Sequence, residues 1–350
     1  MINKKPFLFD LTLKELTDII TGLGEPAYRA KQVYEQVYSK AVSSFDKMNG
    51  LPKSLREKLA EIIDASHLTT QIDKLSSDNH TRKILFGLPD GAQVETVLMG
   101  YNIRRTACIS TQAGCALGCT FCATGQGGLQ RNISSGEIVE QVMFFERELR
   151  KKNDKLTNLV FMGMGEPFAN YNEVMKAIDT LTDPNGFNFG ARRITISTVG
   201  LVPYIDEFAM EQSQVNLAVS LHAATDELRE TMLPINKRYP LRELIKSCRN
   251  YVNNTHRRIS FEWALIDHVN DTTAQAEALA ALLKGMLCHV NFIPLNPTKG
   301  YGGHESKKMR ISRFMQILDD AGIPNTLRIR RGIDINAGCG QLRQETEIKK

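Results

Sequence analysis

The chain has 350 residues, 44 Lys and Arg against 39 Asp and Glu, a formal charge of +5 and 42% apolar side chains. That length allows a sizeable core of the α/β-barrel type with an added domain, and the small basic surplus permits an anionic partner without requiring one. No stretch of eighteen apolar residues occurs, which excludes a membrane-spanning helix, and seven cysteines partly crowded into one short motif do not make a secreted disulfide framework.

From the N-terminus, Met1–Asp10 is apolar only briefly before Asp10 and Lys14-Glu15 interrupt it, too early for a secretory core, so the cytoplasm is the expected location. From Leu11 to about Ala65 the pattern is helical, with turn signals at Gly22-Leu-Gly-Glu-Pro26 and Gly50-Leu-Pro52, and with Val33, Val37 and Tyr38 at helical spacing. Residues 1–75 are thus expected to form a small helical accessory domain. Arg82–Phe86 and Gln93–Met99, joined by the turn Pro89-Asp-Gly91, predict a two-stranded linker over 76–100.

After Thr106 strand and helix alternate. β-rich runs fall at Ala107–Ser110, Leu159–Met162, Arg193–Thr198, Asn216–His222, Ser260–Ile266 and His289–Pro294, with helical windows between them. Ser134-Ser-Gly-Glu137 reads as a capping box, Asp271 as the cap of an Ala-rich helix, and Lys307–Ala321 as another helix. Six βα units predict an α/β fold over 101–350, a partial (β/α)6 TIM-type barrel whose functional loops lie at the C-terminal ends of its strands.

The loop after the first of these strands holds Cys115, Cys119 and Cys122 in a C-x3-C-x2-C spacing. Three soft thiolates select zinc or an iron-sulfur cluster. A structural zinc site is normally closed by four protein ligands, whereas a cluster can leave one iron open to a substrate. The competing reading is a zinc knuckle in a non-catalytic RNA-binding protein, with Cys108 as fourth ligand. Basic pairs at Arg104-Arg105, Arg192-Arg193, Arg257-Arg258, Lys307-Lys308 and Arg330-Arg331 would attract a phosphate backbone if they converged, and are otherwise solvated surface.

The cysteine loop, Met162-Gly-Met-Gly-Glu-Pro167, Ile196-Ser-Thr-Val-Gly200, Ser220-Leu-His222, Asn296-Pro297 and Asp334–Leu342, in this order, resemble the RlmN/Cfr group of radical SAM RNA methyltransferases across nearly the whole chain. The resemblance implies that Cys115, Cys119 and Cys122 hold one 4Fe-4S cluster. It also implies that S-adenosylmethionine, used twice per methylation, chelates the open iron and yields a 5'-deoxyadenosyl radical on reduction. Such a radical suits carbon 2 of adenine, an electron-poor amidine carbon that would not attack a sulfonium.

By the same resemblance, Cys339 is the S-methylated carrier, Cys108 the resolving thiol that ends in a disulfide with it, and Glu95 the proton acceptor. Without it, Cys108 reads as a small apolar strand residue and Glu95 as an ordinary strand glutamate. Gly165, Glu166, Ser197, Ser220, Leu221, His222 and Asn296 are the expected S-adenosylmethionine contacts, each otherwise an ordinary structural residue near a strand end. Cys248 and Cys288 match no motif and read as core.

The helical N-terminus resembles the family's RNA-binding domain, with Tyr28, Arg29, Lys31 and Tyr34 as candidate contacts. The implied partners are naked precursor 23S rRNA, the anticodon stem-loop of tRNA and a one-electron donor such as flavodoxin or ferredoxin. Nothing demands more than a monomer. The overall pattern favours carbon 2 of the adenine; attack at carbon 8 of the same rRNA adenine, which confers antibiotic resistance, keeps every catalytic residue and remains the alternative.

Overall fold

Short amphipathic helices open the chain. The structure is a computed structural model that describes residues 5–342; the first four residues of the Met1–Asp10 stretch lie outside the described residues, as do the last eight of the chain. Helix α1 (Leu13–Gly22) starts at a capping box in which the Thr12 hydroxyl accepts from the Glu15 amide at 3.2 Å and Glu15 accepts from the Thr12 amide at 2.8 Å. Such a cap contributes about 1 kcal/mol. Helices α2 (Tyr28–Tyr34) and α3 (Lys53–Ile62) follow, and Leu16, Ile20, Val33, Val37, Tyr38, Leu55 and Leu59 are buried between them.

This helical region docks on the rest of the chain through polar contacts as well. The Tyr34 hydroxyl donates to Asp183 at 2.8 Å, and Asp10 accepts from the Gly136 amide at 2.6 Å.

Three antiparallel strands come next, β1 (Thr69–Leu75), β2 (Thr81–Gly87) and β3 (Gln93–Gly100). The hairpin of β2 and β3 turns at Pro89-Asp-Gly91 as expected, but β1 is an additional strand. It is largely exposed, so no apolar alternation marks it. Nor do these strands stand apart, because β3 pairs antiparallel with β4 (Arg105–Cys108), the first strand of the barrel.

The barrel then runs through β5 (Gln112–Gly114), α4 (Ala123–Gln126), β6 (Leu129–Asn132), α5 (Ser135–Arg150), β7 (Asn158–Phe161), α6 (Tyr171–Thr182), β8 (Ile194–Thr198), α7 (Val202–Met210), β9 (Asn216–Ser220), α8 (Asp226–Met232), α9 (Leu241–Thr255), β10 (Ile259–Leu265), α10 (Thr273–Leu283), β11 (Cys288–Pro294), α11 (Lys308–Asp320) and β12 (Asn325–Leu327). Strands β4, β7, β8, β9, β10 and β11 are the six expected parallel strands. The short β12 extends them, giving a ten-stranded sheet in the order β1-β2-β3-β4-β7-β8-β9-β10-β11-β12. Its ends, β1 and β12, do not pair, so the barrel is open, and β5 and β6 form a separate small hairpin.

The Ser134 and Glu137 capping box starts α5 as read. Helix α10 is capped by Thr272 instead of Asp271, which belongs to the preceding turn: it accepts from the His268 amide at 3.0 Å and pairs with Arg310 at 3.2 Å. Cys248 and Cys288 are buried in the core.

Candidate active site

The β5–β6 hairpin carries the cysteine loop. Gly114 closes its base with φ of 82°, and a Cβ there would lie 2.0 Å from the Gly128 carbonyl, so no other residue fits. The Cys115 amide donates to that same carbonyl at 2.8 Å; further along, Cys122 donates to Cys119 O at 3.2 Å and Thr120 to Met232 O at 3.0 Å. These bonds turn all three thiols toward one cleft at the C-terminal ends of the barrel strands.

Burial pushes the Cys115 thiol up to about 12, with Glu166 and Cys122 raising it further, and pushes Cys119 well above its ordinary value, with Cys122, Cys115 and Glu166 adding to it. Thiols held protonated in this way need a metal's charge to displace the proton. A closed zinc site would need a fourth protein ligand beside the three thiols. Cys108 sits in β4, beside Cys339 and Arg328 and away from the loop thiols. Three thiols round an open cleft fit a larger centre that also leaves room for a ligand.

The opposite wall supplies that ligand's polar partners. Glu166 follows β7, is buried, and accepts from the Phe168 amide at 3.0 Å and the Val199 amide at 2.8 Å. Burial nevertheless lifts its pKa to about 7. An ammonium group beside it would hold it ionised. Gly165, with φ of 101°, is needed for the protein's own packing, since a Cβ would meet Gln112 at 2.6 Å.

Ser197 and Ser220 line the cleft from β8 and β9. Leu221 has its side chain in the core and offers only backbone, its carbonyl already accepting from Arg229 at 3.2 Å. His222 is left-handed at φ of 60°, and its Nδ1 accepts from the Ala264 amide at 2.9 Å, which leaves Nε2 as the protonated nitrogen. Burial beside Arg229 drops its pKa to about 3, so the ring is neutral at physiological pH. Two buried oxygens in the cleft wall, Asn296 Oδ1 and Glu262 Oε2, have no hydrogen-bond partner within the protein, as expected of groups awaiting a polar ligand.

The C-terminal segment enters the same cleft. The Ala123 amide donates to Gly340 O at 2.8 Å, the Thr124 hydroxyl to Leu342 O at 2.6 Å, and Asn296 Nδ2 to Cys339 O at 3.0 Å. These bonds set Cys339 among the cleft-lining residues together with Cys115, Cys119 and Cys122. Gly340 takes the left-handed turn at φ of 80°, whereas Gly338 is small because a Cβ would press on Asn296 at 2.7 Å.

Cys339 is open to the cleft, yet it lies deep enough that burial pushes its thiol up to about 11. Cys108 lies behind it, raised to about 12 by burial and then by Cys339, with Arg328 acting on both thiols in the opposite sense. Glu95 is buried in β3 and ion-paired to Lys83 at 2.9 Å.

Other groups were not singled out from sequence. Glu262 accepts from Arg328 at 2.9 Å and Asn291 at 3.0 Å on Oε1. Fully buried Arg229 ties the ends of β8 and β9 together through Val199 O at 2.6 Å and Leu221 O. The available signal was a lone charge inside an apolar strand for the first and a turn after Ser220-Leu-His222 for the second.

Of the four N-terminal candidates for RNA, Tyr28 is exposed and lies under Arg29, whereas Tyr34 is buried against Asp183 and holds the helical region in place. The basic pairs are partly structural: Arg105 binds Asp154 at 2.7 Å, and Arg257 binds Gln214 and Asn216.

Residues 109–280 match the radical SAM superfamily model, and residues 7–64 match that of the ribosomal RNA large subunit methyltransferase N-terminal domain. A probable dual-specificity RNA methyltransferase RlmN from Chloroflexus aurantiacus is 50% identical over 96% of this chain and 92% of its own length. The dual-specificity RNA methyltransferase RlmN 1 of Myxococcus xanthus is 47% identical over 97% and 95%. A radical SAM methyltransferase from Sphaerobacter thermophilus has a crystal structure that superposes with a TM-score of 0.95 at 51% identity, covering 97% of this chain and 99% of that one.

Proposed function

The chain belongs to the RlmN family of radical SAM RNA methyltransferases, and from that premise we propose that it methylates carbon 2 of an adenine in 23S rRNA and in the anticodon loop of tRNA. The observation that supports methyl transfer through a protein thiol is the placement of Cys339, and the choice of carbon 2 rests on the likeness to RlmN proteins. A thiol from the far end of the sequence is bonded by its neighbours to the loop that bears the three cluster cysteines.

Bound in the cleft, a 4Fe-4S cluster and S-adenosylmethionine supply a methyl group and one-electron cleavage of a sulfonium bond. Cys115, Cys119 and Cys122 hold the cluster; Glu166 receives the amine of S-adenosylmethionine, and Ser197, Ser220, the Leu221–His222 backbone and Asn296 orient the rest. Cys339 carries the methyl carbon on its sulfur and joins it to the base. Glu95 removes the proton from carbon 2; the Cys108 thiolate then attacks Cys339 Sγ, the Sγ–carbon bond breaks with its electron pair left on carbon, and a proton from solvent completes the methyl group as the disulfide forms and the base leaves. The base must leave its stack to reach this cleft, which favours RNA loops and unfolded precursor.

Digestion of reacted rRNA and tRNA into nucleosides, with identification of the methyladenine isomer, tests the reading. The 2-methyl isomer is expected. The 8-methyl isomer as sole product would replace carbon 2 by carbon 8, and unmethylated RNA from an iron-loaded, reduced enzyme would end the proposal.

A further inference from the structure

Lys83 is a buried cation outside the cleft that touches two parts of the machinery at once. It lies in β2, 2% exposed, and its Nζ is 2.9 Å from Glu95 Oε1 in β3 and 3.3 Å from the carbonyl of Asn336, three residues before Cys339. The register explains the first contact: Lys83 pairs with Val97 and Leu85 with Glu95, so Lys83 and Glu95 are diagonal neighbours on one face. Val97 on that face packs with Cys108, Ile335 and Ala337. The second contact reaches the segment at Asn336, whereas Asn296 binds it at Cys339 O.

A carboxylate withdrawn from water keeps its charge only with a cation or donors beside it, and an unpaired buried lysine is as costly. Structural stability alone would be served as well by two apolar residues at these positions. The pair makes sense where a carboxylate must be present and must be aimed.

We propose that Lys83 is the positioning residue of the methyl-transfer step, anchoring the Glu95 carboxylate by Oε1 while fixing the Cys339 segment at Asn336, so that base and carrier are held at one distance. The proposal rests on the Glu95 role given above. In the step concerned, the C2–H bond of the Cys339-linked adenine breaks, its proton forms an O–H bond on Glu95, and its electron pair restores the ring. The surplus electron passes to a one-electron acceptor of the iron-sulfur class.

Methyl transfer to an RNA hairpin with hydrogen or deuterium at carbon 2 of the target adenine, by wild type, K83R, K83Q and K83M, tests it. K83M and K83Q should slow turnover by about tenfold or more. They should also enlarge the hydrogen-to-deuterium rate ratio above the wild-type value and accumulate enzyme-RNA adduct on denaturing gels, and K83R should restore part of the rate. In the metal-free chain K83M should also speed amide exchange over residues 333–340. K83Q keeps a donor without the cation, and serves for the kinetics if K83M does not fold.

Wild-type rates in both variants would overturn the proposal. Slow turnover with an unchanged isotope ratio would overturn it too, because that is what loosened packing alone would give. Wild-type enzyme that leaves carbon 2 unmethylated is seen before any variant is assayed, and overturns the proposed function along with this step.

Discussion

The cysteine loop and the C-terminal segment meet in one cleft but are held in different ways. The loop is organised mainly by its own backbone: Cys115 donates to Gly128, Cys122 to Cys119 and Gln126 to Cys122, all within the hairpin. The segment from Gly332 to Leu342 has local turns of its own, with Ala337 donating to Gly332 O at 2.8 Å and Gln341 to Gly338 O at 3.0 Å, but distant donors fix where it lies. Lys83, Ala123, Thr124 and Asn296 supply hydrogen bonds to its carbonyls, and Ser77 donates its amide to Asp334 at 2.8 Å. A local loop can present ligands before the barrel is complete, whereas the Cys339 thiol reaches its place only after β2, α4 and the loop after β11 are in position.

The largest effects should separate the two regions cleanly. C119A is expected to abolish both iron content and RNA methylation, since two thiols cannot hold the cluster. C339A should abolish methylation while iron and sulfide remain at wild-type levels. Iron analysis beside the RNA assay checks the pair; loss of iron in C339A would mean that the segment supports the loop and that the division drawn here is wrong. Next in size, C108A should retain iron and the methyl group on Cys339 but stall as an enzyme-RNA adduct, visible by mass spectrometry after nuclease digestion. Normal turnover of C108A would remove its resolving role.

The same division explains what could be read from the sequence. Three cysteines within eight positions, and strands alternating with helices, are local signals, so a loop with three thiols on one cleft and the partial barrel were legible. Strand β1 was not, because Thr69–Leu75 is mostly exposed and has no apolar face to betray it. Lys83 could have been found: once the turn at Pro89-Asp-Gly91 fixes the hairpin register, Lys83 and Glu95 fall on a shared diagonal. Glu262 is marked only as a lone charge in the apolar Ser260–Ile266 strand, which does not reveal which element will face it. Tyr34 is a candidate RNA contact by resemblance, and only the docking of the helical region against Asp183 shows why it is buried.

The smallest effect concerns what anchors the loop's hairpin to the barrel. Arg131 in β6 binds both oxygens of Glu137 in the first turn of α5, at 2.7 and 2.9 Å, and Glu137 also accepts from the Ser134 amide at 2.9 Å. Burial alone would raise the Glu137 pKa, but the His67 ring 3.6 Å away and hydrogen bonds from Arg131 and Ser134 outweigh it and bring the group down to about 2. A carboxyl whose folded pKa lies below its ordinary value of 4.5 stabilises the fold fully above that value, and the contribution disappears as pH falls toward 2. Replacing Glu137 by Gln should therefore cost on the order of 2 kcal/mol at pH 7 and much less at pH 3, measured by urea unfolding of the metal-free chain. The rate at which Cys339 is alkylated should stay unchanged, because among the described residues Arg131, Ser134 and Glu137 make no bond to the C-terminal segment. An equal loss at both pH values would show that the carboxylate's charge is not what holds the hairpin, and a faster alkylation of Cys339 would show that the two regions are coupled through α5 after all.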